Sequence, residues 1–375
     1  MTIRPLPVSR YSDRDGLDTA QVLIVDDSVV ARAVIARMID ASDRFSVVGA
    51  VGNVAAALEF LGRATVDFIL LDIQMPGVDG LTALPSLVAA GRGAKVLIVS
   101  STADEGGAIA VQALALGAAE TLIKPAAGAL SGRFGSMLVA KLEKLSERPS
   151  PMPAAALVRP APRSDLRPTP ESDVAPTRPI SSSADYDIVA IGASTGGIHA
   201  LSQMFRALPA GFRLPIVITQ HLPASFMPYF AAQIALLAGR PCEVAVDRLR
   251  IRPGRIVIAP GDAHLKCVKL SDGGAAFRLT HEPVASGCMP SVDPMLGSLA
   301  DVYGARMLAI ILSGMGRDGA EGARRVHEVG GCVVAQDQQS SVVWGMPGAV
   351  AAAGVADAVL PPDAIGRLVA SRRRP

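Results

Sequence analysis

Short apolar runs recur along the chain, separated by stretches with helical spacing of apolar residues. Between Gln21 and Ser146 the runs are VLIV ending at Val25, FILL ending at Leu71, VLIV ending at Val99 and TLI ending at Ile123. An unbroken apolar run bounded by polar residues predicts a strand buried on both faces, as in a parallel sheet. The segments between, such as Val29 to Ile39, predict the covering helices. A second series begins at Asp187, with DIVAIG, PIVITQH, RIVIAP, MLAIILSG and GCVVAQ. The pattern therefore predicts an α/β fold in two doubly wound domains, the second larger than the first.

What lies between the two series differs in kind. From Pro149 to Pro179 there are nine prolines of the chain's 28, mixed with Arg, Ser, Thr and Ala. Proline lacks a backbone donor and fixes φ, so this stretch predicts an exposed, semi-extended linker. The boundaries read from these changes are a loose extension at 1–20, a first domain at 21–146, a Pro-rich linker at 147–184 and a second domain at 185–370.

Composition excludes some classes of function. At 375 residues the chain is long enough for two cores, and half of it is hydrophobic. The formal net charge of +2 gives no electrostatic case for a nucleic-acid partner. The basic end, Ser371 to Pro375, reads as a solvated tail. Cys242, Cys267, Cys288 and Cys332 are scattered without a CxxC pair, indicating neither a zinc site nor a disulfide framework. No apolar run reaches the roughly 18 residues of a membrane span, and the N-terminus lacks a signal-peptide core. The expected location is the cytoplasm, with no membrane insertion.

Candidate chemistry gathers where the apolar runs end, because the carboxyl ends of strands in an open α/β sheet converge on one edge. Asp26 and Asp27 follow the first run, Asp72 the second, Ser100 and Ser101 the third, and Lys124 the fourth. Three crowded carboxylates repel one another and call for a cation. Mg²⁺, with its preference for hard oxygen ligands, fits. A metal-held Asp72 is then positioned to attack a phosphoryl donor, with Ser100 and Lys124 on the phosphoryl oxygens. Ser28 predicts the N-cap of the first helix. A pair of acids before a serine is commonly no more than a helix cap; the ordered set VDDS, LDIQMPGVDG, VSS and IKP is what carries the functional reading. These residues resemble the receiver domain of two-component response regulators, over about residues 21–146. The resemblance implies a flavodoxin-like fold with Asp72 as phosphoacceptor. Asp26, Asp27 and Asp72 would hold Mg²⁺ with the backbone carbonyl of Gln74. Ser100 and Lys124 would be the switch residues, and a histidine kinase the phosphodonor. Gly117 to Glu120, before Thr121, departs from the aromatic-bearing pattern of many receivers.

In the second domain, Gly192-Ala193-Ser194-Thr195-Gly196-Gly197 lies between a strand and a helix. Such a loop holds a phosphate or dinucleotide on backbone amides, or displays Ser194 as a nucleophile; it is neither G-x-G-x-x-G nor G-x-S-x-G, and on the loop alone both readings stand. Of five histidines, His199 and His327 fall in helical stretches, while His264 and His281 are weaker candidates. His221 directly follows the strand PIVIT at the ligand-binding edge, where a general base belongs. Asp318 follows another strongly apolar run, among Gly314, Gly316 and Gly319. It reads either as a plain Asp-Gly turn or as the carboxylate that orients an imidazole. The Met315 region offers a backbone N–H to an oxyanion.

GASTGG, TQHLPASF, IAPGDAHL, MPSVDPMLGSLA, ILSGMGRDGAEG and AQDQQSSVVWGMPGAV, in this order, resemble the catalytic domain of chemotaxis protein-glutamate methylesterases over nearly all of 185–370. This implies a Rossmann-like, mostly parallel domain with Ser194 as nucleophile, His221 as base, Asp318 as orienting acid and Met315 N–H in the oxyanion hole. It also implies hydrolysis of glutamate methyl esters on methyl-accepting chemotaxis receptors, glutamine deamidation, no metal for hydrolysis, and an unphosphorylated receiver that limits access to the esterase. The competing readings are the same enzyme in a non-chemotaxis pathway, a non-enzymatic receiver with a nucleotide-binding effector, and a transcriptional regulator. The last would put a small basic helix-turn-helix after the linker, where a long α/β domain is predicted instead.

Overall fold

The apolar runs become the central strands of two parallel sheets in a computed structural model that describes residues 19–100, 106–125, 132–146 and 186–372. Ser101, most of the N-terminal extension and the Pro-rich linker lie outside the described residues. The chain divides into two compact units.

From Ala20 to Ser146 the order in the chain is β1 (Ala20–Val25), α1 (Val29–Asp40), β2 (Phe45–Val51), α2 (Val54–Arg63), β3 (Phe68–Leu71), α3 (Gly80–Ala90), β4 (Lys95–Ser100), α4 (Gly106–Ala115), β5 (Glu120–Ile123) and α5 (Gly132–Ser146). The five strands form one sheet in the order β2-β1-β3-β4-β5, every pair parallel. The central strands are buried on both faces: Val22 to Val25 and Phe68 to Leu71 all belong to the core. Helix starts follow local chemistry. The Ser28 hydroxyl accepts from Ala31 N at 3.2 Å, as its sequence position predicts, and Asn53 and Asp79 cap α2 and α3 in the same way.

The second unit contains β6 (Ile188–Ala193), α6 (Gly197–Arg206), β7 (Ile216–Gln220), α7 (Met227–Ala238), β8 (Cys242–Val244), β9 (Ile256–Ile258), β10 (His264–Lys269), β11 (Ala275–Thr280), α8 (Val292–Tyr303), β12 (Met307–Ile311), α9 (Ala320–Glu328), β13 (Cys332–Gln336), α10 (Met346–Ala352), β14 (Ala358–Leu360) and α11 (Pro362–Ser371). Seven strands form a parallel sheet in the order β14-β13-β12-β6-β7-β9-β8. Alternate residues of β6 face opposite layers. Ile188 and Ala190 join the core around Leu296 and Leu299 of α8, while α6 and α11 pack together.

Five strands were not apparent as buried runs. β2, β8 and β14 are half-exposed, and β2 and β8 close one edge of their sheets and β14 the other edge of its own. A strand covered on one side carries only half the apolar residues. The antiparallel hairpin β10-β11 forms a separate two-stranded sheet, so the unit is mostly, not wholly, parallel.

Candidate functional site

In each sheet the first strand of the unit lies between two strands reached by connections that run in opposite directions. This leaves a crevice at the carboxyl ends, the place where α/β sheets bind ligands. In the first sheet β1 lies between β2 and β3; in the second, β6 lies between β12 and β7.

The first crevice holds Asp26 after β1, Asp72 after β3 and Lys124 after β5. Asp26 and Asp72 are buried, and the Lys124 ammonium donates to Asp26 Oδ2 at 2.6 Å and to Asp72 Oδ2 at 2.7 Å. Asp27 is exposed, yet its carboxylate belongs with the other two in a group whose oxygens lie within 4.8 Å of one another. Burial pushes the Asp72 carboxyl above its ordinary range and Asp26 adds repulsion, against the opposing pull of Lys124. The Gln74 amide approaches Asp72 Oδ1 at 3.4 Å. Ser100 ends β4 as a buried residue, and its carbonyl accepts from Lys124 N at 2.8 Å. The carboxylates, Ser100 and Lys124 are thus brought to one edge. The oxygen donors fit a hard divalent cation.

The second crevice gathers neutral and singly charged groups. β6 ends at Ala193, and α6 begins at Gly197, so Ser194 sits on a tight strand-to-helix turn. The turn is strapped from several sides. Ser194 N donates to the Ser313 carbonyl at 3.0 Å, while the Ser194 carbonyl accepts from Gly197 N at 2.8 Å and Gln220 Nε2 at 2.9 Å. Gly196, with φ of 77°, supplies the left-handed backbone that starts the helix. His221 follows β7, and its amide donates to the Ala193 carbonyl at 3.1 Å, which sets it on the strand neighbouring Ser194. Among the described residues no hydrogen bond joins Ser194 Oγ to the imidazole.

Asp318 reaches the same edge from the segment after β12. Its Oδ2 accepts from His221 Nε2 at 2.7 Å and from Val292 N at 2.7 Å, and its Oδ1 accepts from the Ser291 hydroxyl at 2.6 Å. The carboxylate therefore caps α8, where the helix dipole favours a negative charge. Burial alone would push Asp318 up, but the donors from His221, Ser291 and Val292 outweigh it and hold the group down to about 2. The adjacent Asp293 is pushed up to about 6, by burial first and by the charge of Asp318. Of the two neighbouring carboxyls, Asp318 is the more firmly held in its ionised form. A plain Asp-Gly turn would need none of this.

Sequence reasoning did not find the support behind Asp318. His264 is buried; its Nε2 donates to the Glu282 carbonyl at 3.0 Å, leaving Nδ1 to accept from Ser291 N at 3.0 Å. It thus positions Ser291, which in turn holds Asp318. The Ser-Val-Asp-Pro start of a helix was the available signal. Met315 lies beside the turn, and its amide makes no hydrogen bond among the described residues. Gly314 is required here: a Cβ would come within 2.8 Å of Ser194 Cβ. His199 lies on α6, while His281 and His327 are exposed, and the hydrogen-bonded network of Asp318 includes none of the three.

Comparison with known proteins finds a separate family for each of the two large sheets. The family model described as CheB methylesterase matches residues 189–369, and that described as response regulator receiver domain matches residues 22–130. A protein-glutamate methylesterase/protein-glutamine glutaminase of Paramagnetospirillum magneticum is 42% identical over 359 residues, covering 92% of this chain and 93% of the relative. One from Maricaulis maris is 40% identical over 371 residues, covering 91% of this chain and 92% of its own. Among solved structures, the catalytic domain of Thermotoga maritima CheB methylesterase is 38% identical with a TM-score of 0.48, covering 50% of this chain and 98% of that one. Such identity along nearly the full length of both chains decides the matter: the protein belongs to the CheB methylesterases that carry a receiver domain ahead of the catalytic domain.

Proposed function

We propose that the chain hydrolyses glutamate methyl esters on methyl-accepting chemotaxis receptors, with Ser194 as nucleophile, His221 as general base and Asp318 as orienting carboxylate. The observation that carries the reading is the 2.7 Å bond between His221 Nε2 and a buried Asp318 on the segment after β12, at the sheet edge beside Ser194. An imidazole whose Nε2–H points at a carboxylate has Nδ1 free to accept a proton. Ser194 Oγ gives its proton to Nδ1 as it attacks the ester carbonyl, a contact that tightens once substrate is bound. The Met315 amide stabilises the tetrahedral oxyanion. The imidazolium then protonates the methoxide, and methanol leaves. Water, activated by His221, hydrolyses the acyl-serine to glutamate. A glutamine side chain in the same place is deamidated and releases ammonia. Asp318 offsets the positive charge on His221 in both half-reactions.

Control belongs to the first unit. Asp72 is the phosphoacceptor, supplied by a histidine kinase, and phosphorylation raises esterase activity by shifting the population away from a restrained state. Asp26, Asp27, Asp72 and the Gln74 carbonyl are the residues that would hold Mg²⁺, which offsets charge on the phosphoryl group when bound. Lys124 and Ser100 contact the phosphoryl oxygens. No helix among the described residues is long and apolar enough to cross a membrane; we place the protein in the cytoplasm, acting on receptor segments exposed there.

Methanol release from methylated receptor membranes by wild type and Ser194→Ala, each with and without a small-molecule phosphodonor, tests the whole reading. Loss of release in the alanine variant and stimulation of the wild type are expected. Retained release in Ser194→Ala would reject the nucleophile.

A further inference from the structure

Cys288 stands beside the hydrolytic residues and has no part in the chemistry above. One ring nitrogen of His221, Cys288 Sγ and a carboxylate oxygen of Asp318 all lie within 4.8 Å of one another. We propose that these three side chains form a site for a thiophilic divalent cation of the zinc class, and that its occupancy switches the esterase off.

The donor set is the first argument. A nitrogen, a sulfur and a carboxylate oxygen suit Zn²⁺, whose bonds of about 2.0–2.3 Å place tetrahedral ligands roughly 3–4 Å apart. His221 Nε2 and Asp318 Oδ2, now hydrogen-bonded at 2.7 Å, therefore spread as the cation replaces the proton between them. Mg²⁺, by contrast, selects oxygen ligands such as those of the acidic cluster in the first unit. Three protein ligands leave one position open for water. Charge is the second argument. A thiolate and a carboxylate together offset the charge of the dication at a half-buried position.

The third argument is orientation. The second oxygen of Asp318 is already held by the Ser291 hydroxyl at 2.6 Å. Cys288 sits on an ordered turn, where its amide donates to Ser286 Oγ at 3.3 Å and Gly287 N donates to the Val284 carbonyl at 3.0 Å. Outer contacts of this kind fix ligands before the ion arrives. Binding is balanced by the loss of one proton, from the thiol. The imidazole proton moves from Nε2 to Nδ1, so that Nε2 can donate its lone pair to the cation. That last change is what makes the site inhibitory: Nδ1 no longer accepts a proton from Ser194. The metal site itself follows from the three ligands; inhibition rests on the assignment of His221 as base.

The test is a Co²⁺ titration of the full-length protein, followed by its thiolate-to-cobalt absorption in the near ultraviolet. Co²⁺ on the acidic cluster of the first unit has only oxygen ligands and gives no such band. The band is expected in wild type and lost in Cys288→Ala; a band that persists in the variant overturns the proposal. In parallel, Zn²⁺ is titrated against methanol release, each protein being compared with its own metal-free rate. The inhibiting concentration is expected to rise at least about tenfold in Cys288→Ala, and an unchanged concentration overturns the site. A measurement without a variant uses wild type alone. Zn²⁺ should slow alkylation of Cys288, read by mass at that residue, and an unaltered rate also rejects the site. A sulfur band with Zn²⁺-insensitive methanol release in the wild type would overturn the inhibitory switch.

Discussion

The two crevices are alike in topology and opposite in electrostatics. Each lies where the connections of a parallel sheet diverge from its first strand, and each collects side chains from separate strand ends. In the first, Asp72 sits buried beside Asp26, and its carboxyl is raised; the lysine between them holds together an arrangement that, on the proposed function, a cation and a phosphoryl group complete. In the second, Asp318 is buried beside Asp293 but saturated with donors, so its charge is stabilised in advance. The sheet decides where chemistry happens. Whether the site waits for a partner or stands ready depends on how many donors each carboxylate finds.

The sharpest way to separate the two is to silence one. Ser194→Ala should lower methanol release by about 10⁶-fold, while phosphorylation of Asp72 by a small phosphodonor, followed by phosphate incorporation, continues at the wild-type rate. Loss of both would deny that the sites are chemically independent. Asp318→Asn should lower release by about 10⁴-fold. It should also destabilise the second unit by about 1–3 kcal/mol in denaturant titrations, because an amide NH₂ would face hydrogen-bond donors and leave one unpaired.

Acid should expose the same difference. Asp318 is held at about 2 in the folded protein against 3.8 for the free group. Its contribution is therefore fully present above about pH 4 and is lost as pH falls through about 2, amounting to roughly 2 kcal/mol. Asp72 is raised and acts in the opposite sense: it costs stability above its folded value and ceases to do so once protonated. Asp72→Asn should accordingly stabilise the first unit at neutral pH, a small upward shift in its thermal midpoint. It should also abolish stimulation of methanol release by a phosphodonor. A fall in that midpoint would mean that the ion pair with Lys124 outweighs the burial of Asp72.

These contrasts were only partly legible in the chain. The runs VLIV and FILL were visible because both of their faces are covered, and the residues that follow them inherit a position at the sheet edge. β2, FSVVGAV, escaped because exposed positions interrupt it at an edge. Ser194, His221 and Asp318 were each visible as polar residues ending apolar runs. What holds Asp318 was not, since it depends on backbone amides of Val292 and on a serine 27 positions away. His264 illustrates the same limit. Its residue type suggested chemistry, while its buried hydrogen bonds to Glu282 and Ser291 make it a brace. Cys288 carried no pairing signal at all, because its two companions lie in distant segments.

The place of β6 between β7 and β12 also has a temporal consequence. On the proposed assignments, a ribosome making this chain has produced every phosphoryl-handling side chain once Lys124 emerges, whereas hydrolytic competence waits for Asp318 and for β12, which carries it to the edge. Regulation is thus translated before the activity it governs, and a chain interrupted anywhere between those points yields a switch with nothing to turn on.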